Sequence, residues 1–206
     1  MQDKTPRKRP ATSFCVYCGS GPGRDPAYVD GARTLGRALA ANGIGLVYGG
    51  GSSGLRCEVA RATLAGGGYV TGIIPGFLCE RELGLKETSE YIVTDDMHQR
   101  KQLMFERADA FIALPGGVGT LEELVEQLTW AQLGRHSKPI VIANINDFWT
   151  PFLHLLAHMR EDLFIRPGLE IRHVVVDDPA RIVPATMAAV AAANGKVGDP
   201  AAIAKL

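Results

Sequence analysis

The run Pro115-Gly116-Gly117-Val118-Gly119-Thr120-Leu121-Glu122-Glu123 joins an anion cradle to a carboxylate. Its glycines leave backbone N–H groups uncovered. Helical spacing follows, with Leu121, Leu124, Val125 and Leu128 at i, i+3, i+4 and i+7. N–H groups at the start of a helix bind anions, phosphate above all. Glu123 would stand in the first turn of that helix, where the dipole favours its ionised form. An ionised carboxylate stabilises a cation, orients a hydroxyl or accepts a proton. The pairing points to chemistry on a phosphorylated small molecule. Thr120-Leu121-Glu122-Glu123 also fits a capping box, with Thr120 closing the helix start and Glu123 reaching back. That role alone would account for both residues.

Other residues extend the cradle. Gly19 and Ser20 follow one apolar run, and Gly50 and Gly51 follow another, so both turns offer N–H donors to the same anion as Gly116. Gly49-Gly50-Gly51-Ser52-Ser53-Gly54 satisfies G-x-G-x-x-G, yet a dinucleotide site needs an acidic residue ~20 positions on. The corresponding stretch, residues 69–75, has none, so a smaller nucleotide is the better reading. Met97-His98-Gln99-Arg100-Lys101 adds adjacent cations: Arg100 offers a planar fork and Lys101 a point charge. Solvated cations on a helix face are the plainer alternative. Cys15 and Cys18 form a C-x-x-C, but Cys57 and Cys79 stand alone and Cys15 lies in an apolar run. His154 and His158 are i, i+4 without a nearby carboxylate ligand. Neither pair makes a metal or redox site.

These residues need a scaffold that gathers glycine turns at one edge. Short apolar runs at 13–17, 44–48, 69–74, 90–93, 110–114, 140–143 and 174–176 read as strands. Helical patterns separate them at 26–42, from the 49–54 turn to about 65, at 97–107, after residue 120, at 150–160 and at 179–193. Tyr28, Val29, Ala32, Leu35 and Leu39 share one side of the first helix. Residues 75–89 read as a charged loop. Alternating β and α elements with continuously apolar strands make a single-domain α/β fold: a doubly wound, Rossmann-like parallel sheet with helices on both faces. Ligands of such sheets sit at the carboxyl ends of the strands, where every glycine turn falls. The domain spans 13–193, between a basic flexible tail at 1–12 and a loose tail at 194–206.

Among 206 residues, 22 basic side chains cancel 22 acidic ones, so no global field draws nucleic acid or an anionic membrane. No apolar run approaches ~18 residues and no signal-peptide core is present, which makes a cytoplasmic location the expectation.

Tyr48-Gly49-Gly50-Gly51-Ser52-Ser53-Gly54-Leu55, Met97-His98-Gln99-Arg100-Lys101, the run 115–123 and Thr129-Trp130-Ala131-Gln132-Leu133-Gly134 together resemble the LONELY GUY (LOG) family. The resemblance covers about residues 13–190. It implies a cytokinin riboside 5′-monophosphate phosphoribohydrolase, which releases free base and ribose 5-phosphate. Some relatives act on AMP, and a nucleotide-binding sensor without chemistry is a further alternative. It also implies Arg100 and Glu123 as the catalytic pair. Substrate contacts would come from Glu82, Arg100, Lys101, Gly117, Val118, Gly119, Thr120, Leu121, Glu122, Glu123 and Thr129. No cofactor or metal is implied, and a homodimer with sites near the subunit interface is. The chain departs from the family pattern at Arg56-Cys57, where small or apolar residues are expected. Many relatives were formerly called lysine decarboxylases, but nothing here marks a pyridoxal phosphate lysine.

Overall fold

The computed structural model describes residues 8–79, 85, 87–170 and 172–196. Seven strands form one sheet: β1 (Ser13–Tyr17), β2 (Gly45–Tyr48), β3 (Val70–Pro75), β4 (Glu90–Thr94), β5 (Ala110–Ala113), β6 (Ile140–Ala143) and β7 (Val174–Val176). Their order is β4-β3-β2-β1-β5-β6-β7, and every neighbouring pair is parallel. The chain winds outward from β1 to β4, returns to place β5 beside β1, and winds outward the other way. The crevice between the carboxyl ends of β1 and β5 is therefore the topological switch point, where sheets of this kind bind ligands.

The helices are α1 (Pro26–Ala41), α2 (Gly54–Ala65), the four-residue α3 (Gly76–Cys79), α4 (Met97–Glu106), α5 (Val118–Gln132), α6 (Thr150–Glu161) and α7 (Ile182–Lys196). Two cores lie on opposite faces of the sheet. Phe14, Val16, Leu46 and Ile112 point into one, with Leu35, Leu39, Val59 and Ile182 from α1, α2 and α7. Cys15, Tyr17, Val47 and Phe111 point into the other, with Met104, Leu124, Leu128 and Leu156 from α4, α5 and α6. Period-2 alternation along β1 thus puts Cys15 and Cys18 in different cores, so the C-x-x-C cannot close on one ligand. Four cysteines are free thiols. His154 and His158 stand exposed on α6, with His158 near Asp162 at 3.7 Å.

Most element boundaries follow the expectations within a residue or so, but α5 starts at Val118 instead of after residue 120, α7 runs to Lys196, and two further differences stand out. The 75–89 segment opens with α3, and α7 is preceded by a 3-10 turn over Pro179–Arg181. At the amino-terminal end, Thr12 accepts from Gly45 N–H and Arg9 donates to the Arg107 carbonyl, so this part of the basic segment packs on the sheet. Residues 194–196 continue α7; 1–7 and 197–206 lie outside the described residues. Among the described residues, no helix is long and apolar enough to cross a membrane.

Candidate active site

Three glycine turns pack edge to edge over the crevice. The Gly19 N–H donates to the Pro115 carbonyl at 3.1 Å, tying the turn after β1 to the one after β5. Gly54 joins the turn after β2 to the first. Its φ of +57° suits glycine, and a Cβ there would run into the Ser20 backbone. The N–H groups of Leu55 and Arg56 reach the carbonyls of Gly21 and Gly19, each at 3.4 Å. The start of α2 is thus spent on protein carbonyls and closed to a pyrophosphate. Gly50 and Gly51 lie in the turn after β2, where Gly50 packs against Ile73 and Ile74 and its carbonyl accepts from Leu85 N–H at 3.5 Å. Of the phosphate candidates, Gly19 has its N–H committed, while Ser20 is exposed at the rim.

The start of α5 is different. Its N-cap is Gly117, with no side-chain capping bond. An α-helix leaves its first N–H groups without internal acceptors, here those of Val118, Gly119 and Thr120. Nothing lies within 4 Å of the Cβ positions of Gly117 and Gly119. An anion can approach this backbone directly.

The expected capping box does not form. The helix begins before Thr120, whose hydroxyl lies against Gly116, and Glu123 falls in the second turn. Its carboxylate accepts a hydrogen bond from Arg100 instead.

Helix α4 supplies that arginine. The Asp96 carboxylate accepts from Gln99 N–H at 2.8 Å, and the Gln99 amide oxygen accepts from Asp95 N–H at 2.7 Å. This reciprocal latch orders the first turn, from which Arg100 projects inward. Arg100 is only 5% exposed. Its Nε donates to the Ile73 carbonyl at 3.1 Å and its Nη1 to Glu123 Oε1 at 2.9 Å, while Nη2 lies against Gly49. Carbonyl, carboxylate and glycine together fix the plane of the guanidinium.

Glu123 is 9% exposed. Burial pushes its carboxyl above the ordinary value of 4.5, opposed by the charge and hydrogen bond of Arg100 and then by the charge of Arg56. The expectation that the helix start favours ionisation is overturned. Desolvation outweighs a dipole effect of ~0.3–1 kcal/mol that fades beyond the first turn.

Lys101 points elsewhere. Its ammonium contacts Glu122 at 2.6 Å and Glu126 at 2.9 Å, pinning α4 to the flank of α5. Burial works against the Lys101 charge, and the two carboxylates more than offset it. Thr129 is exposed on α5, its hydroxyl donating to the Val125 carbonyl at 2.8 Å. Leu121 and Val125 also face outward, so only Leu124 and Leu128 of the expected stripe enter the core. Glu82 lies outside the described residues. Gly49 and the Ile73 carbonyl escaped the sequence reading as parts of the site. A glycine's neighbours and a strand carbonyl's direction leave no side-chain signature.

A sequence model of the family described as "possible lysine decarboxylase" matches residues 58–186. A probable cytokinin riboside 5′-monophosphate phosphoribohydrolase of Oryza sativa subsp. japonica is 47% identical over 165 residues, 80% of this chain and 67% of that protein. An Arabidopsis thaliana cytokinin riboside 5′-monophosphate phosphoribohydrolase is 45% identical, covering 81% of this chain and 78% of its own length. One from Rhodococcoides fascians is 46% identical, covering 81% and 84%. Among solved structures, the molybdenum cofactor carrier protein of Chlamydomonas reinhardtii superposes with a TM-score of 0.63 at 22% identity, covering 89% of this chain and 99% of that one. That similarity speaks to the fold alone. With the family sequence model spanning most of the chain and relatives this similar, the protein belongs to the LOG family, the "possible lysine decarboxylase" family of the matching model.

Proposed function

We propose that this protein hydrolyses the N-glycosidic bond of cytokinin riboside 5′-monophosphates, giving free base and ribose 5-phosphate. The observation that carries the proposal is the buried Arg100–Glu123 pair beside an uncapped helix start. Phosphate binding alone needs no buried carboxylate near the anion. In this reading the 5′-phosphate rests on the N–H groups of residues 118–120, which directs the ribose toward Glu123. When the bond from C1′ to the base breaks, its electron pair leaves with the base and positive charge builds on the ribose, as in glycoside hydrolysis generally. Glu123 as carboxylate stabilises that charge, and Arg100 fixes the carboxylate in place. Water supplies the oxygen that joins C1′; one of its protons stays on the new hydroxyl and the other ends on the base. No cofactor enters this balance.

The names of the relatives support the prenylated substrate. The four free thiols suit a reducing cytoplasm. A homodimer is supported by apolar side chains exposed along α5 and beyond α6: Val118 at 83%, Leu133 at 74% and Phe164 at 83%. The test incubates the pure protein with isopentenyladenosine 5′-monophosphate and with AMP, then separates the products by chromatography. Release of isopentenyladenine is expected. Preferential release of adenine would make the protein an AMP nucleosidase, and binding without release a sensor.

A further inference from the structure

Arg56 is a second cation at this site, beside the same glycine that Arg100 crowds. It lies in the first turn of α2, and its backbone N–H reaches the Gly19 carbonyl at 3.4 Å. Its Cδ comes within 3.7 Å of the Cβ position of Gly49, the same point that Arg100 Nη2 crowds. Two arginine side chains, from α2 and α4, therefore converge on one glycine, and one of them holds Glu123. We infer that Arg56 is a positioning residue of this site, a second guanidinium that, beside Arg100, keeps the Glu123 carboxylate charged for catalysis. The catalytic half of this inference rests on the hydrolase reading above.

The surroundings of Glu123 leave it that task. Burial is the largest influence on the carboxyl and favours its neutral form. Arg100 of α4 and Arg56 of α2 act against burial, while neighbouring Glu122 on α5 acts with it. Cys15, Tyr17 and Cys18 of the β1 segment also feel the Glu123 charge, and burial holds all of them neutral. Two cations are thus set against a desolvated site, and Arg100 bonds the carboxylate directly. Arg56 acts on the same group through its charge, which favours the ionised carboxyl.

The test is a pH titration of the Glu123 side-chain carboxyl carbon by NMR in the full chain, assigned with Glu123→Gln. It compares the parent with Arg56→Met, Arg56→Gln and Arg56→Lys. The two neutral variants should titrate higher than the parent, and Arg56→Lys should stay near it. The acid limb of kcat/KM for isopentenyladenosine 5′-monophosphate should move by the same amount. Coincident midpoints in all folded variants would overturn the role of Arg56, whatever the activity. A shifted midpoint in a parent protein that releases no base would uphold the coupling and overturn the hydrolase reading instead.

Discussion

Arg100 and Gly49 are fitted to one another: the guanidinium Nη2 occupies the space that a Cβ at position 49 would need. The other two nitrogens of the guanidinium are also engaged, Nη1 by Glu123 and Nε by the Ile73 carbonyl, which together hold the fork in its plane. Gly49→Ala should therefore displace the fork from Glu123 and lower kcat/KM by on the order of 10²-fold. Steady-state base release measures it, and an alanine variant with parental turnover would show that the fork tolerates displacement.

Arg100→Ala should lose far more activity than Lys101→Ala. Removing Arg100 leaves a buried carboxylate without its cation, a change worth ~3–5 kcal/mol in stability for pairs of this kind. Lys101 joins α4 to Glu122 and Glu126 on the side of α5, and its loss should loosen that contact while leaving the fork in place. Parallel kinetics and thermal melts separate the two. Equal, modest losses confined to KM would reduce both residues to general phosphate attraction.

The expected pH dependence has opposite signs for stability and activity. Burial raises the Glu123 carboxyl above 4.5, so the folded protein holds this proton more tightly than the unfolded chain. The contribution of this group to folding is greatest below that value and is lost as pH rises toward the raised one. Activity needs the carboxylate and should rise with pH along a limb centred above 4.5. A kcat/KM profile at fixed ionic strength checks this, and a limb centred at or below that pH would contradict it.

In the proposed reading a single phosphate rests on the uncapped start of α5, since the N–H groups of Leu55 and Arg56 in α2 are engaged by the carbonyls of Gly21 and Gly19. Nucleosides should react at least ~100-fold more slowly than their 5′-monophosphates, a gap of about 2.7 kcal/mol in transition-state stabilisation. Di- and triphosphates should also be poor. Matched kcat/KM values on adenosine- and isopentenyladenosine-derived substrates measure both effects; efficient cleavage of a free nucleoside would remove the phosphate from the account.

Much of this architecture was legible in the chain because buried parallel strands are short, apolar and bounded by glycine turns. Residues 140–143 and 174–176 coincide with β6 and β7. The start of α5 was harder to read. Gly117 and Gly119 are poor helix formers, and Thr120 with Glu123 imitates a cap, so the local pattern placed the boundary too late. The apolar period of α5 also merged two surfaces: Leu124 and Leu128 enter the core, whereas Leu121 and Val125 face outward. Period alone cannot separate a core from an exposed apolar surface. Arg100 and Glu123 were recognisable as residue types, but their bond spans 23 positions and depends on how α4 and α5 cross the sheet. The direction of the Glu123 shift was misread for the same reason, because burial is a property of the assembled fold.

The central claim is that Glu123 acts on the bond being broken and is more than the buried counter-ion of Arg100. Single-turnover release of isopentenyladenine from its riboside 5′-monophosphate, with nucleotide binding measured in parallel, tests it most directly in the parent and in Glu123→Gln. Glutamine preserves the shape and can still accept a hydrogen bond from Arg100, but it cannot balance a cation on the ribose. The account predicts that binding persists while the rate of base release falls by on the order of 10²-fold or more. A variant that melts at lower temperature yet releases base at the parental rate would contradict it.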